Sequence, residues 1–149
     1  MRFLFQLPRY LGFARQARLA AVERCQARAN QGDSEAQFRL GERYFDGLGV
    51  GSNDQQAFSW FLRAAETGHA RARNNLGLML FLGRGTTRDP IEACKWLLLA
   101  SQQGDEKAAE SLVKLSGRVS PEEMDEARRR AHLWQPPDRS GLDTDGSRR

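Results

Sequence analysis

Two cysteines and two histidines are among the side chains of this 149-residue chain that could act as nucleophiles, bases or metal ligands. They follow one another as Cys25, His69, Cys94 and His132, without the close ligand pairs of a zinc site. A Cys94–His69 pair could catalyse only if the fold joined them, and the spacing does not indicate that it does. We therefore expect no catalytic residue, no metal site and no cofactor, and interpret both cysteines as small buried hydrophobic residues.

Two glycine-containing segments and one group of carboxylates also have the composition of functional sites. The Gly-x-Gly segments at 47–49 and 83–85 lack the preceding strand of a phosphate-binding loop, which favours turns between helices. The acids at 122–126 follow Ser120-Pro121 and belong to the first turns of a helix, where they match its dipole. Neither pattern indicates an enzyme.

The net charge of +4 is concentrated at one end of the chain. Residues 1–30 contain six arginines and one acid, Glu23, whereas the rest is nearly balanced. A nucleic-acid-binding domain needs its basic residues clustered on one folded face. We therefore expect no nucleic-acid partner.

Residues 1–22 mix arginines with aromatic and aliphatic residues. Gln6, Pro8 and Arg9 interrupt the apolar run that a secretory signal needs, and no stretch reaches the roughly 18 apolar residues of a membrane span. Two interpretations remain open. The segment either packs on the end of the fold or makes a peripheral contact with an anionic membrane surface.

A 36-residue repeat organises the body of the chain. Residues 34–69 and 70–105 align without a gap, and eleven of the 36 positions are identical. Most of the identical residues are glycine, alanine or aromatic, which indicates that the same helix packing recurs. The identical pairs are Ala36 with Ala72, Leu40 with Leu76, Gly41 with Gly77, Phe45 with Phe81, Gly47 with Gly83, Gly49 with Gly85, Ala57 with Ala93, Trp60 with Trp96, Leu62 with Leu98, Ala64 with Ala100 and Gly68 with Gly104.

Each repeat predicts a helical hairpin. In the first repeat, Ala36, Leu40 and Tyr44 recur every four residues and form one apolar stripe. Glycine ends this helix, and Asn53 caps the next one. In the second repeat, Asp89-Pro90 is the equivalent start signal. Weaker half-repeats are expected at 1–33 and 106–135, because an end unit lacks one neighbour.

The repeats resemble the Sel1-like repeat (SLR) family, a relative of the tetratricopeptide repeats. The first repeat carries the family's small residues, tryptophan and turn glycines, with Asn53 and Gln56 as departures. The second repeat carries the small residues, tryptophan and turn glycines with Asp89, and departs from the family pattern at Leu80, Thr86, Glu92 and Ser101. The resemblance implies an all-α fold, a short right-handed α-solenoid of antiparallel helical hairpins. It also implies an adaptor or scaffold that binds an unknown protein or peptide in a concave groove.

A cysteine-rich branch of this family is associated with β-lactam binding or hydrolysis. That branch pairs two cysteines within each repeat, whereas Cys25 and Cys94 have no partner in their own repeat. We therefore do not expect this chain to be an enzyme of that branch. Unpaired cysteines and the absence of a clear signal favour the cytoplasm.

Helical geometry selects a candidate groove surface opposite the Ala36–Leu40–Tyr44 stripe. Phe45 and Phe81 are identical in the two repeats, which also fits packing between units. The other positions differ between repeats, so stacking does not demand them, and Phe38 and Leu78 are the preferred pair for mutation. The candidate partner-binding residues are Glu35, Phe38, Glu42, Phe45, Arg71, Asn74, Leu78 and Phe81.

The C-terminal part of the chain predicts one more helix and a tail. The helix should run from Ser120 to about Trp134, where Ala127, Ala131 and Trp134 could cover the end of the last repeat. Residues 136–149 begin with two prolines and are otherwise polar and without periodicity, which predicts a disordered tail.

Overall fold

The structure, a computed structural model, describes residues 7–137, with side chains from residue 12 onward. Within this range the chain forms seven helices and no strand, which confirms the all-α solenoid class. The predicted tail lies almost entirely outside this range. The helices are α1 Leu7–Asn30, α2 Ser34–Asp46, α3 Asp54–Glu66, α4 Ala70–Leu82, α5 Pro90–Gln102, α6 Glu106–Ser116 and α7 Pro121–Leu133.

Each helix from α2 to α7 begins with a side chain that accepts a hydrogen bond from the backbone N–H three residues later. Asp33, His69 and Asp105 do this at equivalent positions, 36 residues apart, ahead of α2, α4 and α6. The predicted caps Asn53, Asp89 and Ser120 begin α3, α5 and α7. Local sequence thus sets where each helix starts.

The residues that recur between the repeats lie either in the core or in the turns. Leu40 of α2 and Leu76 of α4 are both completely buried at equivalent positions. Gly68 and Gly104 both have a positive φ, +94° and +91°, in the turns that follow α3 and α5. The other recurring core residues are all buried, namely Ala36, Ala57, Trp60, Ala64, Ala72, Ala93, Trp96 and Ala100.

The two helices of each repeat meet closely at a glycine. A Cβ atom on Gly41 would lie 2.6 Å from Cδ1 of Phe61, and one on Gly77 would lie 2.7 Å from Cγ of Leu97. Side chains at these two positions would therefore push the helices apart. The glycines thus set the close approach of α2 to α3 and of α4 to α5.

The C-terminal helix α7 packs on the last repeat, as its apolar residues predicted. Met124 and Ala127 contact the buried Cys94, and Ala131 joins the main core. The Trp134 ring meets Trp96 edge-on, with 5.5 Å between ring centroids. Helix α7 thus covers an apolar face of α5.

Among the side chains of α1 that the structure describes, from residue 12 onward, those that are shielded from solvent lie in its C-terminal part. Ala29 is buried and Cys25 is half-buried against α2, whereas residues 12–20 are all exposed, Phe13 by 76%. The expectation that this segment packs on the end of the fold is therefore wrong for residues 12–20. At about 1.5 Å per residue, the 24-residue α1 is about 16 Å longer than α2, so residues 12–17 extend beyond the end of α2.

Candidate partner-binding surface

An apolar pocket of about 230 Å³ opens between the C-terminal halves of α2 and α4. Phe45 comes from the last turn of α2, and Leu78 and Leu82 lie on one side of α4 because they are four residues apart. The buried Met79 lies beneath them, and Asn75 contributes a carboxamide. Leu82 is 63% exposed, which leaves a large apolar side chain in water.

Arg84 completes the pocket from the turn after α4. Gly83 adopts a left-handed conformation with φ +68°, which ends the helix and brings the next residue back toward α2 and α3. The Arg84 guanidinium donates hydrogen bonds of 3.1 Å and 2.8 Å to the two carboxylate oxygens of Asp54. It also lies 4.2 Å from the centre of the Phe45 ring. The bidentate ion pair with Asp54 and the contact with the Phe45 ring hold the Arg84 side chain, which forms this wall of the pocket, in one orientation.

A second cluster surrounds Phe38, nearer the N-termini of the same two helices. The His69 ring stacks on Phe38 at 4.5 Å, and the Arg71 guanidinium lies 4.5 Å from the Phe38 ring centre. His69 Nδ1 accepts the Ala72 N–H, so Nε2 carries the proton that is donated to Glu35 at 2.9 Å. His69 therefore belongs to a network that joins α2 to the start of α4.

The hydrogen bond from His69 lowers the pKa of the Glu35 carboxyl below its ordinary value, and the Arg39 charge adds to this effect. The carboxylate stays ionised at neutral pH, where it holds the His69 ring against Phe38. This cluster fastens the first repeat to the second, since Glu35 and Phe38 belong to α2 while His69 caps α4.

The structure brings together two of the eight predicted groove residues, Phe45 and Leu78, in the α2–α4 pocket. Glu42 and Arg71 form an ion pair of 3.5 Å between the same helices. Glu35 belongs to the His69 network, and the remaining three residues are buried. The partner-binding role of the set stays a prediction.

Phe38, Asn74 and Phe81 are 1%, 7% and 6% exposed, so the expectation of an exposed stripe is wrong at these positions. These side chains are buried either because a helix of the next unit packs over them or because they point into the hydrophobic core. Phe38 packs on Phe61, with 5.8 Å between ring centroids. Asn74 Oδ1 accepts a 3.2 Å hydrogen bond from the Ser111 hydroxyl of α6.

Sequence reasoning missed four residues of the pocket: Asn75, Met79, Leu82 and Arg84. Leu82 could have been found, because it lies four residues after Leu78 on the same helix face. Arg84 had no such signal, since its position depends on an ion pair with a helix 30 residues earlier.

The cysteines have the character of packing residues. Burial raises the pKa of the Cys94 thiol, with a smaller contribution from the Glu123 charge, which disfavours the thiolate that a nucleophile needs. The Cys25 thiol donates to the backbone carbonyl of Ala36 at 3.3 Å. Between residues 7 and 137, no three His, Cys, Asp or Glu side chains are arranged to hold a metal ion.

The exposed part of α1 does not form a separate apolar stripe. Leu19 lies about 40° from Arg15 around the helix and about 120° from Phe13, so apolar and basic side chains share its sides. Across the part of the chain that the structure covers, no helix combines the length and apolar character of a membrane span.

Comparison with protein families and solved structures gives two kinds of match. The family model described as Sel1 repeat matches residues 34–69 and 70–105. Among curated protein sequences, none matches the chain.

Two solved structures from bacteria share the fold. One is the crystal structure of a protective antigen of uropathogenic Escherichia coli strains that displays an SLR fold, with 30% identity and a TM-score of 0.73 over 76% of this chain and 24% of that one. The other is a Sel1 repeat protein from Oxalobacter formigenes, with 33% identity and a TM-score of 0.60 over 61% of this chain and 26% of that one. The chain thus spans about a quarter of each relative's length.

Proposed function

Because this chain is a Sel1-like repeat protein, with Sel1 repeats at 34–69 and 70–105, we propose that it is an interaction scaffold that holds an apolar side chain of a protein or peptide partner in the α2–α4 pocket. Sel1 repeat proteins are generally protein–protein interaction scaffolds. The exposed Leu82 beside a preformed apolar wall is the observation that supports this site.

The chemistry of the pocket suits a peptide. Phe45, Leu78 and Leu82 offer apolar surface that gains about 25 cal/mol for each Å² removed from water. The Asn75 carboxamide has both a donor and an acceptor for a peptide backbone. The Arg84–Asp54 pair fixes the wall before the partner arrives, which lowers the entropy that binding must overcome.

The proposal is for a non-enzymatic protein, because the Sel1 fold is typically a scaffold and the Cys94 thiol is buried. It keeps the cytoplasm as the expected compartment, on the two free cysteines. The alternative of a membrane-surface protein gains no support from residues 12–20, where arginines and apolar side chains lie on the same sides of the helix.

The test is quantitative affinity capture from the native lysate with the wild-type protein and with the Leu78→Glu/Leu82→Glu variant. Charges in an apolar pocket should prevent the partner's side chain from entering, because an unpaired charge is costly to bury. We expect at least one protein to be lost from the variant. Circular dichroism should report unchanged helicity.

The matched control is Val113→Glu/Leu133→Glu, which replaces two apolar residues that are 74% and 64% exposed on α6 and α7, outside the pocket. This control should capture the same proteins as the wild type. If the pocket variant also captures them all, the α2–α4 pocket is not the binding site.

A further inference from the structure

The turn after α2 lies beside α1, and the turn after α4 lies beside α3. These two equivalent turns make different contacts. In the second repeat, a Cβ atom on Gly85 would lie 2.2 Å from the carbonyl oxygen of Asp54, so this turn is pressed onto the start of α3. The Arg84–Asp54 ion pair closes the same junction. The equivalent residues 36 positions earlier are Leu48 and Arg18, which cannot form an ion pair.

An open cleft of about 390 Å³ takes the place of that ion pair in the first repeat. Its walls are Arg15, Arg18 and Leu19 of α1 and the glycine-rich turn at 47–51. The cleft exists because Arg18 lies inside α1, whereas the equivalent residue, Asp54, is the first residue of α3. The turn of the first repeat therefore lies against the side of a helix, and the turn of the second repeat lies against the start of one. Between residues 12 and 137, no carboxylate forms an ion pair with Arg15 or Arg18.

Further basic residues lie between α1 and α2. A neighbouring hollow of about 300 Å³ is lined by Arg24, Arg28, Arg39 and Arg43, with Glu35 as its acid. Asp33 pairs with Arg28 and Glu35 pairs with Arg39, so these two arginines are neutralised. Arg43 extends the positive surface of the cleft, because its guanidinium donates a 3.3 Å hydrogen bond to the backbone carbonyl of Leu48 in the turn. Arg24 lies about 180° from Arg15 around α1 and faces the hollow alone.

The charge of this surface defines what it can hold. Arg15, Arg18 and Arg43 present three guanidinium groups around one cleft, and none of the three has a carboxylate partner between residues 12 and 137. Guanidinium groups form their strongest hydrogen bonds with carboxylates and phosphates. A short peptide with several carboxylates therefore matches the surface in charge.

We propose that the basic cleft, formed by Arg15, Arg18 and Arg43, binds an acidic segment of a partner protein. The second repeat supports a carboxylate as the ligand, because Asp54 closes its equivalent junction in a bidentate pair with Arg84. In the first repeat the guanidinium groups come from α1, and the partner supplies the carboxylates. This site lies apart from the α2–α4 pocket.

Fluorescence anisotropy with a labelled hexaglutamate peptide tests the proposal. Arg15→Gln/Arg18→Gln should weaken binding by about tenfold or more, since charged hydrogen bonds are lost. The matched control, Arg128→Gln/Arg129→Gln, removes the same charge from α7 and should change the affinity less than about twofold, because its exposed arginines already pair with Asp125 and Glu126. Equal weakening by both variants would assign the binding to net charge and overturn the proposal.

A second variant fills the cleft without removing an arginine. Leu48→Glu places a carboxylate at the turn position equivalent to Arg84, and Arg18 is equivalent to Asp54, the ion-pair partner of Arg84. It should weaken hexaglutamate binding while the protein keeps its helicity. Unchanged binding by Leu48→Glu would exclude this cleft as the site.

Other anions separate the proposal from its competitors. Labelled hexaglutamine should not bind, since it offers no charge. Tighter binding of an oligothymidylate or of phosphatidylglycerol vesicles than of hexaglutamate would overturn the acidic-peptide assignment. Leu78→Glu/Leu82→Glu should leave hexaglutamate binding unchanged, so the α2–α4 pocket and the basic cleft can fail independently.

Discussion

Phe38 and Asn74 occupy the same position in the two Sel1 repeats, and both are buried, but in different surroundings. Phe38 lies between Phe61, His69 and Arg71. Asn74 instead accepts a hydrogen bond from Ser111 of α6. The position is buried in each repeat because a following helix covers it, and the residue type follows from what that helix presents.

The same contrast appears at the turns. Gly49 and Gly85 are identical and both have positive φ, yet the turn of the second repeat is closed by an ion pair and the first borders an open cleft. The two repeats thus have the same residues where the two helices of a unit approach each other closely. They differ in the contacts that each unit makes with its neighbour. Four sets of substitutions test this difference.

The largest effect is expected at the first of these positions. Phe38→Ala should lower the free energy of unfolding by about 3–5 kcal/mol, because it leaves a cavity among packed rings. Asn74→Ala should cost about 1 kcal/mol, the value of one hydrogen bond. Urea unfolding followed by circular dichroism measures both, and Phe13→Ala, at an exposed position, is the control. Equal costs at positions 38 and 74 would contradict the contrast.

At the glycine contacts we expect a smaller and unequal loss. Gly77→Ala should destabilise by about 1–3 kcal/mol, since its Cβ would meet Leu97 and the Ala93 carbonyl oxygen, at 3.0 Å, which cannot move aside. Gly41→Ala should cost less, because a side chain alone, Phe61, is in the way. Gly12→Ala has free space and should stabilise α1 by up to about 1 kcal/mol. Urea unfolding measures all three, and a neutral Gly77→Ala would show that the helices can separate without loss.

The turn ion pair should contribute less again. Arg84→Leu gives the second repeat the residue of the first and should lower the free energy of unfolding by about 1 kcal/mol, from a partly exposed ion pair and a contact with the Phe45 ring. The loss, measured by urea unfolding, should shrink in high salt, which screens the ion pair. A loss that is independent of salt would assign the effect to packing.

The smallest effect concerns acid stability. The pKa of Glu35 is lowered in the folded state, so its carboxylate stabilises the fold above its ordinary pKa, and this contribution is lost as the pH falls through the folded value. Glu35→Gln should therefore flatten the fall in stability between about pH 5 and about pH 3. Arg71, the equivalent residue of the second repeat, has no carboxyl group. Urea midpoints across this range measure the slope, and Glu110→Gln on exposed α6 is the control. An unchanged slope would contradict a role for the Glu35–His69 hydrogen bond.

Sequence reasoning was most successful for features that depend on neighbouring residues. The caps Asn53, Asp89 and Ser120 and the repeat glycines identify helix ends, because a cap or a left-handed turn acts within four residues. The cap His69 was missed, because histidine is an uncommon cap and its partner Glu35 lies 34 residues away. The pocket was partly found, through Phe45 and Leu78, and its missing wall came from Arg84.

The sequence by itself determined the repeat, the paired helices and the glycine contacts, because these follow from local periodicity and from residues too small to be replaced. The tertiary structure alone decided that Phe38 is buried, that residues 12–20 of α1 are exposed and that one turn is closed while its equivalent is open. The physical reason is that burial in a solenoid depends on the next unit. The sequence of the helix that contains a residue does not show whether the next unit buries that residue, forms an ion pair with it or is too short to contact it.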